Sequence, residues 1–390
     1  MRGRERPLRN PFEFGRELGP GELADRREEI GAIRRAVENR GKLFVLGPRR
    51  FGKTSVLAAA ERELAGDGAV VLRYDAELYE TVTALAQAVV VGAARALTPT
   101  LEKAGEAVRQ ALRGMRPEVA YDPVSQRLTV GLAAVPAKDE VPALARVLDG
   151  VERLAAARRR PTAIFLDEFQ QVVRDGGEAA ERQLRAAIQR HAHVAYVFAG
   201  SRTRLLEAMT GRAGRPFWRL GARLVLGPVP REEFARFLEE RFRALGGAVE
   251  AAALERIMAV AEDVPYNVQR LAHECWERWR VEPGTRLTEA QVDEALDGIV
   301  RSEHAAYARL WVGLTRAQRI ALKAVIEERG RELTSSGALR RHGLGSSTMQ
   351  KALRALEAGE MIRLEEAREG RTWRLEDPFF AAWLRVAQAR

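Results

Sequence analysis

Cysteine, histidine and lysine are scarce in these 390 residues, and each shortage excludes something. The lone Cys275 rules out an intrachain disulfide and a cysteine-rich zinc site. It lies in an apolar-periodic helical segment, where a thiol packs as a small hydrophobe rather than reacts. The five histidines show no metal spacing. His191 and His193 stand two apart, which suits neither a helical metal pair nor a His-Glu-x-x-His site. No run approaches the roughly 18 apolar residues of a membrane span. The charged start Met1-Arg2-Gly3-Arg4-Glu5-Arg6-Pro7 is followed by no apolar signal-peptide core. The expectation is a cytoplasmic protein with no membrane partner.

Lysine stands only at 42, 53, 103, 138, 323 and 351, so nearly all of the 64 basic residues are arginine. The formal net charge of +10 fits an acidic partner such as nucleic acid. An arginine-biased coding composition produces the same excess, so the position of the charge is the better guide. A chain of this length holds two or three domains and a large core.

What the chain does contain is Gly47-Pro48-Arg49-Arg50-Phe51-Gly52-Lys53-Thr54, which fits the P-loop pattern G-x-x-x-x-G-K-[ST]. Lys42–Leu46 before it reads as a short buried strand, and Ser55–Leu64 after it as a helix. That is the context in which backbone N–H groups and a helix N-terminus form an anion nest for phosphates. Lys53 is expected to reach the β- and γ-phosphates and the Thr54 hydroxyl to ligate Mg²⁺. Arg49 and Arg50 either contact phosphate or pair with acids on the outer face of the loop.

Alternating strands and helices surround this motif. Further strands are expected at 69–75, 162–168, 194–199 and 222–226. Helices are expected at 25–38, 83–97, 141–158, 179–189 and 203–209. Residues 98–140 read as less regular, with a β-hairpin of 119–121 and 127–132 around Asp122–Gln126. This alternation predicts an α/β fold, a parallel sheet with helices on both faces, whose ligands sit at strand C-termini. From Pro230 the pattern becomes helices only, at 231–245, 248–262, 265–280 and 288–303, the last opening with a capping box at Thr288–Gln291. From about Leu314, three helices (316–328, 335–341 and 347–358, the last capped by Ser346) precede two strands, 361–364 and 372–375. That is the order of a winged helix-turn-helix. The expected domains are 1–227, 228–310 and 311–390.

The strand Ala163-Ile164-Phe165-Leu166 ends in Asp167-Glu168. An ordinary turn gives the same pair, but behind a P-loop the acids gain a role. Asp167 would hold Mg²⁺ opposite Thr54, and Glu168 would take the proton from the attacking water. Ser201, at the end of the next strand, either touches the γ-phosphate or lytic water or caps the helix at Thr203. Phosphoryl transfer also calls for an arginine. Arg215, Arg219 and Arg223 are the candidates, and a neighbouring subunit is the alternative source.

From 311 to 390 there are 15 basic and 10 acidic residues, half of the chain's excess in a fifth of its length. On the third helix Met349, Leu353 and Leu356 form the inward stripe. Ser347, Thr348, Gln350, Lys351 and Arg354 point outward and are types that meet phosphates and base edges in a major groove. Arg368 and Arg371 stand at the hairpin tip. A winged helix that docks a protein is the other reading.

Taken together, these residues resemble the prokaryotic archaeal-type P-loop ATPases, near the STAND and AAA+ branches. Gly47–Ser55 looks like their Walker A motif and Ile164-Phe165-Leu166-Asp167-Glu168-Phe169-Gln170 like their Walker B. Phe198-Ala199-Gly200-Ser201 is similar to their sensor-1 strand end. Val264-Pro265-Tyr266-Asn267 resembles the turn of the lid in which a proline, here Pro265, helps cover the nucleotide base, although Val264 replaces the usual glycine. Asp377–Leu384 looks like the segment after their winged helix. The resemblance implies an ATPase core, a helical lid and a winged helix, working as a slow ATP- and Mg²⁺-dependent switch whose domains move. DNA and a nucleotide-dependent homo-oligomer are the partners expected. The alternative is a nucleotide-gated module with little turnover, its winged helix docking a protein partner.

Overall fold

The computed structural model describes residues 9–388 apart from 99, 112–117, 123–126, 132–136, 159, 175–176, 202, 245, 282–285 and 368–369. The chain forms two compact units, Glu17–Gly227 and a second that joins Pro228–Arg390 to the residues up to Arg16.

In the first unit α1 (Arg27–Glu38) leads into β1 (Lys42–Leu46), α2 (Lys53–Gly66), β2 (Val70–Asp75), α3 (Val82–Leu97) and α4 (Leu101–Ala111). The antiparallel hairpin of β3 (Glu118–Asp122) and β4 (Arg127–Gly131) follows, then α5 (Ala137–Ala156) and β5 (Thr162–Asp167). A single turn, α6 (Gln170–Val173), precedes α7 (Gly177–Ile188), β6 (Val194–Gly200), α8 (Thr203–Gly211) and β7 (Ala222–Val225). The five long-range strands pair in parallel in the order β2-β5-β6-β1-β7.

The pleat explains why both faces need helices. Phe44, Leu46, Ile164, Leu166, Tyr196 and Phe198 point to one face and pack with α3, α5, α7 and α8. Leu43, Val45, Ala163, Phe165, Ala195 and Val197 point to the other and pack with α1 and α2. Alternation of side chains along each strand splits these sets, and a parallel sheet covered twice keeps its central strands wholly apolar. β5 and β6 are buried along their whole length. Because the strands are parallel, the ends of β1, β5 and β6 share one edge, where Leu46 is paired with Gly200 and Asp75 with Asp167.

The second unit contains α9 (Arg231–Arg243), β8 (Ala248–Val249), α10 (Ala251–Val260), α11 (Pro265–Trp279), β9 (Arg286–Leu287) and α12 (Glu289–Ser302). Its core is aromatic: the Trp276 and Trp279 rings lie 4.8 Å apart, tilted by 32°, and Phe242 meets both. Phe12 lies 5.2 Å from Phe242, while Asn10 Nδ2 donates to His273 O and Glu277 Oε1. These contacts are why the first described residues cluster with this unit and the sheet unit starts at Glu17. The Thr288–Gln291 capping box is present. After α13 (His304–Gly313) come α14 (Arg316–Glu327), α15 (Ser336–His342), α16 (Ser346–Ala358), the antiparallel pair β10 (Ile362–Ala367) and β11 (Gly370–Leu375), and α17 (Pro378–Gln388).

Three sequence expectations change. The stretch after 98 contains a helix, α4, whose Ala104, Ala107 and Val108 are buried on one face. The block after Pro230 is not purely helical, because β8 and β9 pair in parallel ahead of α10 and α12. Ser346 is the first helical residue of α16, and the cap position belongs to Gly345, with no side-chain cap. Among the described residues no helix is long and apolar enough to cross a membrane.

Candidate nucleotide site and winged-helix surface

The loop between β1 and α2 is shaped by two glycines. A Cβ on Gly47 would lie 3.0 Å from Leu226 O and 3.1 Å from Leu226 Cβ, so glycine lets the loop pass close to the chain leaving β7 without displacing it. Gly52 has φ +85°, a left-handed turn that aims the chain into α2. Arg50 also takes a positive φ, 68°. Arg49 and Arg50 are exposed, whereas Phe51 and Lys53 are buried. Lys53 begins α2 and its Nζ donates to Gly47 O (2.9 Å) and Pro48 O (2.8 Å) across the loop. Ser55 is buried, and its hydroxyl accepts the Leu18 N–H at 3.1 Å, clasping the incoming chain.

Thr54 is exposed, and its Oγ1 donates to Asp167 Oδ2 at 2.8 Å. Asp167 is only 2% exposed and its Oδ1 accepts the Glu168 N–H at 3.0 Å. Burial raises the Asp167 carboxyl above its ordinary range; the Thr54 hydroxyl opposes this and the charge of Glu168 adds to it. Glu168 sits at φ 48°, a left-handed conformation that costs a non-glycine residue about 1 kcal/mol. The turn is held by Phe169 N–H donating to Ala199 O at 2.9 Å. It sends the Glu168 side chain toward β6, where Oε2 accepts Ser201 Oγ (2.9 Å) and Ser201 N–H (3.3 Å). Thus Lys53, Thr54, Asp167, Glu168 and Ser201 converge on one edge of the sheet.

Two residues with a part in this edge carried no assigned role in the sequence reading. Gln170 is buried and its Nε2 also donates to Glu168 Oε2. Its signal was the position two after Glu168. Arg26 is 4% exposed, and its guanidinium donates to Gly227 O at 2.6 Å and pairs with Glu29. It also reaches Phe51 O at 3.4 Å, tying the loop to the chain that follows β7. No periodicity announces such a residue.

Of the arginine candidates, Arg215 is bound to Glu178 and Glu181 of α7. Arg219 is exposed with its guanidinium 4.3 Å over the Trp218 ring, and Arg223 is exposed on β7. Pro265 opens α11 in the second unit, directly after Glu262 and Asp263, both left-handed, and Val264.

On the winged helix, Met349, Leu353 and Leu356 of α16 are buried, while Ser347, Thr348, Gln350, Lys351 and Arg354 are exposed. Arg371 is exposed on β11; Arg368 lies outside the described residues. The last turn of α15 adds Arg340 and Arg341.

Comparison with known proteins agrees with this architecture. The AAA ATPase domain family matches residues 22–198 and a winged helix domain family matches 305–386. Among solved structures, a Walker-type ATPase of Pyrococcus abyssi aligns at 16% identity with a TM-score of 0.60, covering 96% of this chain and 99% of that chain. The ORC2 protein of Aeropyrum pernix, in ADPNP–ADP complexes, aligns at 16% identity with a TM-score of 0.53, over 98% of this chain and 99% of its own. Its ADP form aligns at 15% identity and the same TM-score, covering 96% of each chain. At such identities the likeness speaks for the fold. No curated protein sequence matches the chain. With its P-loop, its acidic strand end and its terminal winged helix, the chain is similar to the AAA ATPase domain family over residues 22–198 and to a winged helix domain family over residues 305–386.

Proposed function

We propose that the chain is a cytoplasmic, slow, Mg²⁺-dependent ATPase switch whose winged helix binds DNA. The observation that carries the ATPase reading is the convergence of Lys53, Thr54, Asp167, Glu168 and Ser201 at the end of β1, β5 and β6. In this reading the loop N–H groups from Gly47 to Thr54 and the α2 N-terminus hold the phosphates, and Lys53 Nζ moves from the loop carbonyls onto them. The Thr54 hydroxyl and the Asp167 carboxylate are hard oxygen donors already in contact, so they fit magnesium. When bound, that ion neutralises phosphate charge. Glu168, steered by Ser201, orients a water and takes its proton. Arg219 or Arg223 supplies the remaining positive charge, in the same chain or across a nucleotide-dependent homo-oligomer. Pro265 and the turn before it belong to the lid in this reading, and 1–227, 228–310 and 311–390 act as core, lid and output. The nucleotides in the Aeropyrum ORC2 complexes support the nucleotide reading.

The test is ATP turnover by the full chain. Lys53→Ala abolishes it; turnover at the wild-type rate in that variant sinks the assignment.

The exposed Ser347, Thr348, Gln350, Lys351 and Arg354 support DNA as the output. One observation favours a protein partner instead. Leu310 and Val312 of α13 are 51% and 72% exposed, and Leu310 lines a cavity of about 580 Å³ with Ala306, Leu314, Ala355 and Met361. A DNA titration at several salt concentrations separates the two, because phosphate contacts give a steep negative slope.

A further inference from the structure

We propose that Gln170 is a positioning residue of the hydrolytic site, its carboxamide fixing the Glu168 carboxylate by the oxygen that Ser201 also holds. This rests on the reading of Glu168 as the group that takes the proton from water.

The argument starts from one oxygen. Glu168 Oε2 accepts from Ser201 N–H, Ser201 Oγ and Gln170 Nε2. A carboxylate oxygen offers about two lone-pair directions, so Oε2 is saturated. Oε1 receives none of these donors and is the oxygen left to face a water. The Glu168 carboxylate is thereby held both by Ser201, directly after β6, and by Gln170, the first residue of α6.

The orientation of the Gln170 amide follows from chemistry. An ionised carboxylate only accepts hydrogen bonds, so the NH₂ end must face it. Gln170 Oε1 then points the other way, toward Gly200, where no donor among the described residues meets it. A polar side chain only 2% exposed with an unmatched acceptor is a costly space-filler. A leucine or methionine would fill the same volume without that cost, which argues that the N–H is what the position needs.

Gly200 makes the room. A Cβ built there overlaps the Gln170 amide oxygen and Leu206 Cδ1. Adjacent residues at the end of β6 therefore serve one contact: Gly200 admits the Gln170 amide and Ser201 donates beside it. The backbone does its part, since the left-handed Glu168 lets its side chain meet a residue only two positions later.

The experiment compares Gln170→Met, Gln170→Glu, Gly200→Ala and Glu168→Gln in the full chain. It measures kcat and KM for ATP, the affinity for a fluorescent ATP analogue and the melting temperature. Gln170→Met keeps the length and loses the donor; kcat falls about tenfold or more, as for a misplaced catalytic group, while KM and analogue affinity stay within about twofold. Gln170→Glu, isosteric and like-charged, falls further. Gly200→Ala reproduces Gln170→Met because it expels the amide. Wild-type or raised turnover in Gln170→Met overturns the proposal, as does a parallel collapse of analogue affinity, which would mark Gln170 as mere packing. Glu168→Gln at the wild-type rate overturns the assignment of Glu168 itself. An inactive Glu168→Gln beside an unaffected Gln170→Met overturns the positioning role alone.

Discussion

Thr54 Oγ1 lies 2.8 Å from Asp167 Oδ2, a hydrogen bond that joins the first turn of α2 to the last residue of β5. It spans 113 positions of sequence and crosses from one strand-loop-helix unit to another. Thr54→Val keeps the shape and removes the hydroxyl. The expected result is a loss of the Mg²⁺-dependent part of nucleotide affinity, about 1.5–3 kcal/mol for a hydrogen bond to a charged group. Calorimetry with Mg²⁺ and with a chelator measures that part directly. Thr54→Ser retains it; a serine variant as weak as the valine variant would contradict the role of the hydroxyl.

Asp167 gives a pH prediction with a definite sign. Burial, with the charge of Glu168 adding, raises its folded pKa above the ordinary 3.8, despite the Thr54 and Lys53 contributions. The folded chain therefore holds this proton more tightly than the unfolded chain. Stability from the group is present below 3.8 and lost as pH rises through the raised folded value. Asp167→Asn, neutral at every pH, should melt above wild type at neutral pH without nucleotide, and the gap should close as pH falls toward 3.8. Melting curves across that range decide it. A gap that widens on acidification contradicts the sign.

Much of the sheet was legible because its signal is local. Ala163–Leu166 and Val194–Ala199 are unbroken apolar runs, which is what strands buried on both faces require. The P-loop glycines were legible because the turn admits few other residues. What stayed hidden depends on partners distant in sequence. Leu101–Ala111 has helical apolar spacing at Leu101, Ala104, Ala107, Val108 and Ala111, but most of that stripe is alanine and the sequence reading treats the segment as irregular. His304–Gly313 was missed because Leu310 and Val312 face outward and blur its apolar stripe. The saturation of Glu168 Oε2 was illegible for the same reason, since it takes Ser201, just past the end of another strand, to create it.

Arg215 tests whether an arginine near the site acts on substrate or on structure. It pairs with Glu178 and with Glu181, and the latter is 1% exposed. Burial pushes the Glu181 carboxyl up, with Arg215 pulling it back down. Removing the guanidinium leaves a buried carboxylate uncompensated, so Arg215→Ala should cost about 3 kcal/mol of stability. Arg185 of the same helix also donates to Pro216 O and Trp218 O, so the damage should stay local rather than unfold the segment. Denaturation with and without nucleotide measures the loss. Arg219→Ala and Arg223→Ala should leave stability within about 0.5 kcal/mol, as exposed positions do. If one of them supplies transition-state charge, it lowers kcat instead. Unchanged stability in Arg215→Ala would return it to the candidates for that role.

The arginines of the winged helix divide in the same way, and salt dependence reads the division. Lys351 and Arg354 are exposed on α16. Arg363 on β10 is 8% exposed, donates to Leu375 O at 2.6 Å and pairs with Glu365 at 2.8 Å, so its charge is spent inside the fold. If α16 lies on DNA, each phosphate contact releases counterions and contributes about 0.9 to the slope of log K against log salt. Replacing Lys351 and Arg354 by alanine should then flatten the slope by about 1.8 and weaken binding on every sequence alike. Ser347, Thr348 and Gln350 are neutral; removing them should leave the slope and alter sequence preference. Arg363→Ala should lower the melting temperature and spare the slope. Binding curves for the three sets of variants at four or more salt concentrations test all of this together. A flat slope in the wild type would turn attention from DNA to the Leu310 cavity.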